Sequence, residues 1–133
     1  MGWAQPDCTG LDCRSGPRYH EGMTDSPYLF RATDHPLRPM GAGLNVREAL
    51  SPFGMALRYQ ERASAPPGAP DGDWCETGHS VFVLAGRLRY RFDTHEVEAG
   101  PGDILHIPAG PADRHKPSVA GTETVRYVLT EFT

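Results

Sequence analysis

One cysteine and two histidines carry the chemistry this chain can offer: Cys75, His79 and His115. The first two lie in the run Asp73-Trp74-Cys75-Glu76-Thr77-Gly78-His79, just ahead of an apolar stretch. The third follows Gly102-Asp103-Ile104-Leu105-His106-Ile107-Pro108-Ala109-Gly110. A thiolate with two imidazoles is a soft to borderline donor set. It favours zinc over magnesium or calcium, and imidazole also suits ferrous iron. Three protein donors plus water make an open site of the catalytic type, able to activate water near neutral pH and to polarise a carbonyl. Four carboxylates complete the candidate set. Asp73 and Asp113 are candidates for the fourth ligand, Asp113 also for a base, and Glu61 and Glu76 are candidate general bases.

Each of these residues also has an ordinary role. Cysteine is often a small buried hydrophobe. His79 can be a satisfied core histidine, and His115 sits in a polar stretch with Arg114 and Lys116. Asp73, in Pro-Asp-Gly-Asp, and Asp113 are common turn residues. Glu61 and Glu76 can be plain solvated carboxylates. His106 alternates with Leu105 and Ile107 and is expected to point the other way.

The elements that must position these residues read as short strands. Met55, Leu57 and Tyr59 alternate with Ala56, Arg58 and Gln60, and Glu61 falls on the Met55 face. Residues 63–72 are rich in Pro and Gly and read as a loop. Ser80 to Ala85 is an apolar strand that places His79 on the face of Val81 and Val83. It turns at Gly86 into 87–92. Asp93-Thr94-His95 turns into 96–99, and 104–107 and 124–132 are further strands. Tyr28 to Ala32 reads as a first strand or a docking segment, and Asn45 to Leu50 as one helical turn. Turns every 8 to 12 residues point to an all-β sandwich or jelly-roll barrel.

The chain has 133 residues, enough for one domain with one core. A net charge of −4 argues against nucleic-acid binding. Arg87, Arg89 and Arg91 alternate with Leu88, Tyr90 and Phe92, the pattern of one solvated strand face. No stretch reaches a membrane span, and no secretory signal is visible. A cytoplasmic protein with reduced thiols is expected. Residues 1–26 show no periodic apolar face and read as an irregular extension, poorly structured or docking on the domain; its Cys8 and Cys13 could bind metal or pair with each other but read first as unpaired thiols, and the domain runs from 27 to 133.

The glycine and proline framework resembles that of the cupin superfamily over about residues 53 to 133. Val83-Leu84-Ala85-Gly86 matches the tail of the first cupin motif, which ends on glycine. Counting back from Gly86 puts His79 at the motif's Glu position and Asp73 and Cys75 at its two His positions. Gly102, Pro108 and Gly110 match the second motif without a gap. Asp113 stands at its His position, His115 two residues later, and Pro117 where the motif has Asn. The resemblance implies a cupin double-stranded β-helix, a jelly-roll barrel with a divalent metal in its mouth, and a homodimer paired through its sheets. It also implies a small-molecule substrate, since some cupins of secondary metabolism use zinc for rearrangements. The expected function is a non-redox isomerase, lyase or rearrangement catalyst using zinc as Lewis acid. A ferrous dioxygenase-type cupin and a non-catalytic small-molecule-binding cupin are the alternatives.

Overall fold

A computed structural model describes residues 26–70 and 72–132. The expectations for residues 1–25, including Cys8 and Cys13, lie outside the described residues. Among the described residues nine strands follow in order: β1 (Arg38–Pro39), β2 (Leu44–Leu50), β3 (Ala56–Arg62), β4 (Gly78–Ala85), β5 (Leu88–Arg91), β6 (Glu96–Ala99), β7 (Ile104–Ile107), β8 (Lys116–Val119) and β9 (Val125–Phe132). They form a six-stranded sheet, β1-β2-β3-β9-β4-β7, and a three-stranded sheet, β6-β5-β8. All the pairings are antiparallel. The expected all-β jelly roll is what the chain forms.

Period-two alternation decides which side chains meet between the sheets. On β4, His79, Val81 and Val83 point inward and are buried. On β9, Val125, Tyr127 and Leu129 do the same, and β5 adds Leu88 and Tyr90. Ala99 and Ile107 close this core. The turn from β4 to β5 passes through Gly86 at φ 76°, where an added Cβ would lie 2.9 Å from the Thr124 carbonyl oxygen. That explains why a motif glycine stands there.

Three segments depart from expectation. Residues 45–50 are strand, with no helical turn: Leu44–Leu50 pairs along its whole length with β3, from Leu44↔Arg62 to Leu50↔Ala56. Tertiary pairing overrides the local propensity of Arg-Glu-Ala-Leu. Lys116–Val119 is also a strand, although Pro117 sits inside it. It lies at a sheet edge, where a missing N–H is tolerated. The third is the facing of β3. Gln60 is buried inside, and Leu57 and Tyr59 face outward on the large sheet. Phe30 docks over them with His35, Ala49 and Val128, so Tyr28 to Ala32 forms turns that pack on the sheet and adds no strand.

The outer face of the small sheet carries the arginines as expected. Arg89 bonds Glu98 across β5 and β6 at 2.9 Å, an exposed pair of little energetic weight. Around the corner, Arg91, Arg114 and Lys116 surround the Trp74 indole at 5.6, 4.6 and 4.7 Å from its centre. Among the described residues no helix is long and apolar enough to cross a membrane.

Candidate metal centre

Cys75, His79 and His115 converge at one end of the space between the sheets, each offering a ligand atom within 4.8 Å of the others. Each arrives by a different device. His79 is the second residue of β4 and points inward by alternation with Val81. Cys75 lies ahead of β4 and is held to His115 by two reciprocal main-chain bonds: Cys75 N to His115 O at 2.9 Å and His115 N to Cys75 O at 3.0 Å. Gly110 N donates to the Glu76 carbonyl at 2.8 Å. The loop after Gly110, which turns at φ 121°, is thereby fastened to the segment before β4.

The hydrogen bonds fix the tautomers and expose a conflict. His115 Nδ1 lies 2.9 Å from the Asp113 carbonyl oxygen. A carbonyl only accepts, so Nδ1 carries the proton and the lone pair of neutral His115 sits on Nε2. That Nε2 faces His79 Nδ1 at 3.2 Å. The other nitrogen of His79, Nε2, faces Glu131 Oε1 at 3.3 Å, also an acceptor. A neutral His79 has one proton to give. On Nε2 it serves Glu131 and leaves two lone pairs facing each other across 3.2 Å. On Nδ1 it serves His115 and sets a lone pair against the carboxylate. Imidazolium would satisfy both neighbours, yet burial first and His115 second hold His79 below the ordinary imidazole range, with Glu131 pulling the other way. A cation held by His79 and His115 would remove the conflict and leave the Nε2–H of His79 to Glu131.

The spacing suits that ion. Two zinc–nitrogen bonds of about 2.0–2.1 Å at the tetrahedral angle separate the nitrogens by roughly 3.3–3.4 Å, against the 3.2 Å found here. Cys75 Sγ completes the group from the other side of the His79 ring, 3.9 Å from Nε2, the nitrogen that also faces Glu131. His79 is 6% exposed and His115 fully buried, whereas Cys75 is half-buried, so the open side of the cluster is the thiol side. Tyr90 packs edge-on against His115, ring centres 5.3 Å apart, and burial pushes its phenol far up, so it stays a neutral wall.

The four carboxylates chosen from sequence are placed elsewhere. Asp73 and Glu76 are exposed, and neither belongs to the convergent group. Asp113 ends a short 3-10 turn, Pro111–Asp113. It serves His115 through its main-chain carbonyl, its carboxylate lying outside the group. The 3-10 turn breaks the alternation that would have put both side chains on one face. Glu61 lies on the outer face of β3, accepting from the Tyr59 hydroxyl at 2.8 Å. It pairs with Arg126, five positions along β9 from the cluster.

The carboxylate that does reach the cluster is Glu131. It sits opposite His79 in the β4–β9 register. Its Oε1 also accepts from Arg58 Nη1 at 2.9 Å, and Arg58 Nε bonds Glu48 on β2. Counting by twos from Tyr127 and Leu129 puts Glu131 on the inner face; this was the available signal.

The cupin-domain family model matches residues 65–131. The chain belongs to the cupin family. Solved cupin-fold structures resemble it at low identity, which speaks for the fold. The polyketide cyclase RemF from Streptomyces resistomycificus is 22% identical, with a TM-score of 0.57 and 77% of each chain covered. KdgF from Halomonas sp. is 15% identical, with a TM-score of 0.57, covering 77% of this cupin and 92% of that chain. EutQ from Clostridium difficile is 17% identical, with a TM-score of 0.54 and 67% of each chain covered. No curated protein matches this cupin.

Proposed function

We propose that this cupin is a zinc-dependent enzyme acting on a small molecule by non-redox chemistry, an isomerisation, elimination or rearrangement. The lone-pair conflict between His79 Nδ1 and His115 Nε2 at 3.2 Å carries the reading, because a bound cation resolves it. Cys75, His79 and His115 hold the metal. The thiolate selects zinc over ferrous iron. Zinc in such a site supplies Lewis acidity toward a carbonyl oxygen and lowers the pKa of water to about 7.

The protein's own part is orientation. Asp113 fixes His115 by its carbonyl, and Glu131 fixes His79 and stands ready beside the open side to take or return a proton. RemF, similar in fold, is named as a polyketide cyclase, and a small-molecule reaction of that kind is compatible with this reading. Elemental analysis of protein purified without chelator tests the reading, with one zinc per chain as the expected result. One iron would install the dioxygenase-type reading. Absence of any metal in folded protein that also fails to take up added zinc would install the non-catalytic binding barrel.

The same reading includes a cytoplasmic homodimer. Val128, Phe82 and Ile104 are exposed apolar residues in one row across β9, β4 and β7, paired Val128↔Phe82↔Ile104. A second copy covers that row, and the open β7 edge beside it, more readily than water does. Light scattering at tens of micromolar checks this, and a monomer mass would sink it.

A further inference from the structure

Between the β2–β3 hairpin and the end of β9 lies a cavity of about 830 Å3, lined chiefly by Leu50, Phe53, Met55, Phe132, Thr77 and Glu131. Leu50, Phe53 and Met55 expose 73%, 54% and 48% of their surface. Three large apolar side chains on one hairpin, all turned to solvent around one hollow, are what a ligand's hydrocarbon body covers. Phe53 is braced by Tyr28, whose ring stacks on it 5.8 Å away. Glu131 connects this hollow to the metal cluster, because the same carboxylate meets His79 Nε2. Both of its contacts fall on Oε1. Among the described residues no partner takes Oε2. An ionised carboxylate only accepts hydrogen bonds, so Oε2 recognises a donor.

We infer that this cavity is the reactant chamber of the site, and that it takes a neutral small molecule with an apolar, ring-sized body and a hydroxyl-type donor head bound by Glu131. The inference rests on the proposed function for its meaning, but it makes a separate claim about binding. Phe53 and Met55 hold the body, and Glu131 selects the head. Polyhydroxylated sugars and carboxylates are disfavoured, the former by the apolar wall and the latter because an ionised carboxylate brings no donor to Glu131.

The test uses three probes on the full chain, with and without bound zinc: 2-naphthol, 2-methoxynaphthalene, which lacks the donor, and 2-naphthoate, which is anionic. Binding is read by probe fluorescence and by the Met55 methyl resonance. 2-Naphthol should bind most tightly and shift that methyl, in the chelator-treated protein too. Replacing Phe53 and Met55 by Ala, both exposed and so harmless to folding, should weaken 2-naphthol about fivefold or more. Glu131→Gln should level 2-naphthol with 2-methoxynaphthalene, the circular dichroism staying unchanged. Equal binding of all three probes to the unmodified chain, or no effect of the double Ala variant, overturns the inference. Probe binding at Met55 in a protein that takes no zinc would keep the chamber and sink the metal reading. Zinc uptake with a silent Met55 methyl would do the reverse.

Discussion

The two ends of this barrel's interior are built by the same strands and differ in every property that matters. At one end β4 offers Val83 and β9 offers Val125, sealed by Leu88, with Val83, Leu88 and Val125 fully buried. At the other end, β4 offers His79 and β9 offers Glu131, register partners of each other. One end is a plug of close-packed hydrocarbon. The other holds a cysteine, two histidines, a carboxylate and an arginine. A metal bound in a barrel that carries its own apolar core would not need to supply the folding energy, unlike the ion of a zinc finger. Stability and chemistry are divided along the strand direction, so each should respond to substitution without the other.

The sharpest way to break that division is at the ligands. His79→Ala, Cys75→Ala and His115→Ala should each lower zinc affinity by more than about 100-fold, since changes one layer further out already cost about 10–100-fold. The far-ultraviolet circular dichroism should stay that of a β protein, and His95→Ala in the β5–β6 turn should keep full zinc. Full occupancy in both the Cys75 and His115 variants would show that the cluster is not the site. At the other end, Leu88→Ala should cost about 2–5 kcal/mol of stability, seen in denaturant titration, while zinc stoichiometry stays at its original value. If instead zinc is lost with it, the ends are coupled.

A smaller effect concerns pH. His79 is held below the usual imidazole range, chiefly by burial. Between that lowered pKa and about 6.5 the unfolded chain binds the extra proton and the folded chain does not. The stability of the zinc-stripped protein should therefore be steady above about pH 6.5 and fall as pH drops below it. His79→Gln should flatten that fall, and an unchanged slope in melting temperature against pH would contradict the assignment. The smallest expected effect is of removing residues 1–22, a stretch without a periodic apolar face. Melting temperature should not move, and a drop of several degrees would show that this segment packs on the core.

How much of this was legible depended on whether one strand or two decided the matter. The inward His79, Val81 and Val83 follow from alternation within a single strand, as do β6, β7 and the outward His106. The glycine and proline framework gave the family, because Gly86 and Gly110 mark backbone turns that other residues adopt at a cost. What stayed hidden was set by pairing. Leu44–Leu50 becomes a strand because β3 lies beside it. Leu57 and Tyr59 look like a core face, yet Gln60 and Arg58 take the inside, where Arg58 has Glu131 and Glu48 to meet. Glu61 shares the outer face with Leu57 and Tyr59, bonded to the Tyr59 hydroxyl. Glu131 went unseen because its register against His79 is a property of two strands fifty residues apart, and Asp113 acts through its main chain, which no side-chain pattern reports.

The two hydrogen bonds between Cys75 and His115 have an evolutionary side. They run main chain to main chain, so they are indifferent to which side chains hang from either position. A lineage can exchange sulfur for nitrogen or oxygen at position 75 while the backbone scaffold of the pocket stays put. The donor atom at position 75 can therefore change by a single substitution while this main-chain clasp is kept. A cysteine where the usual pattern has histidine is a change such a clasp tolerates.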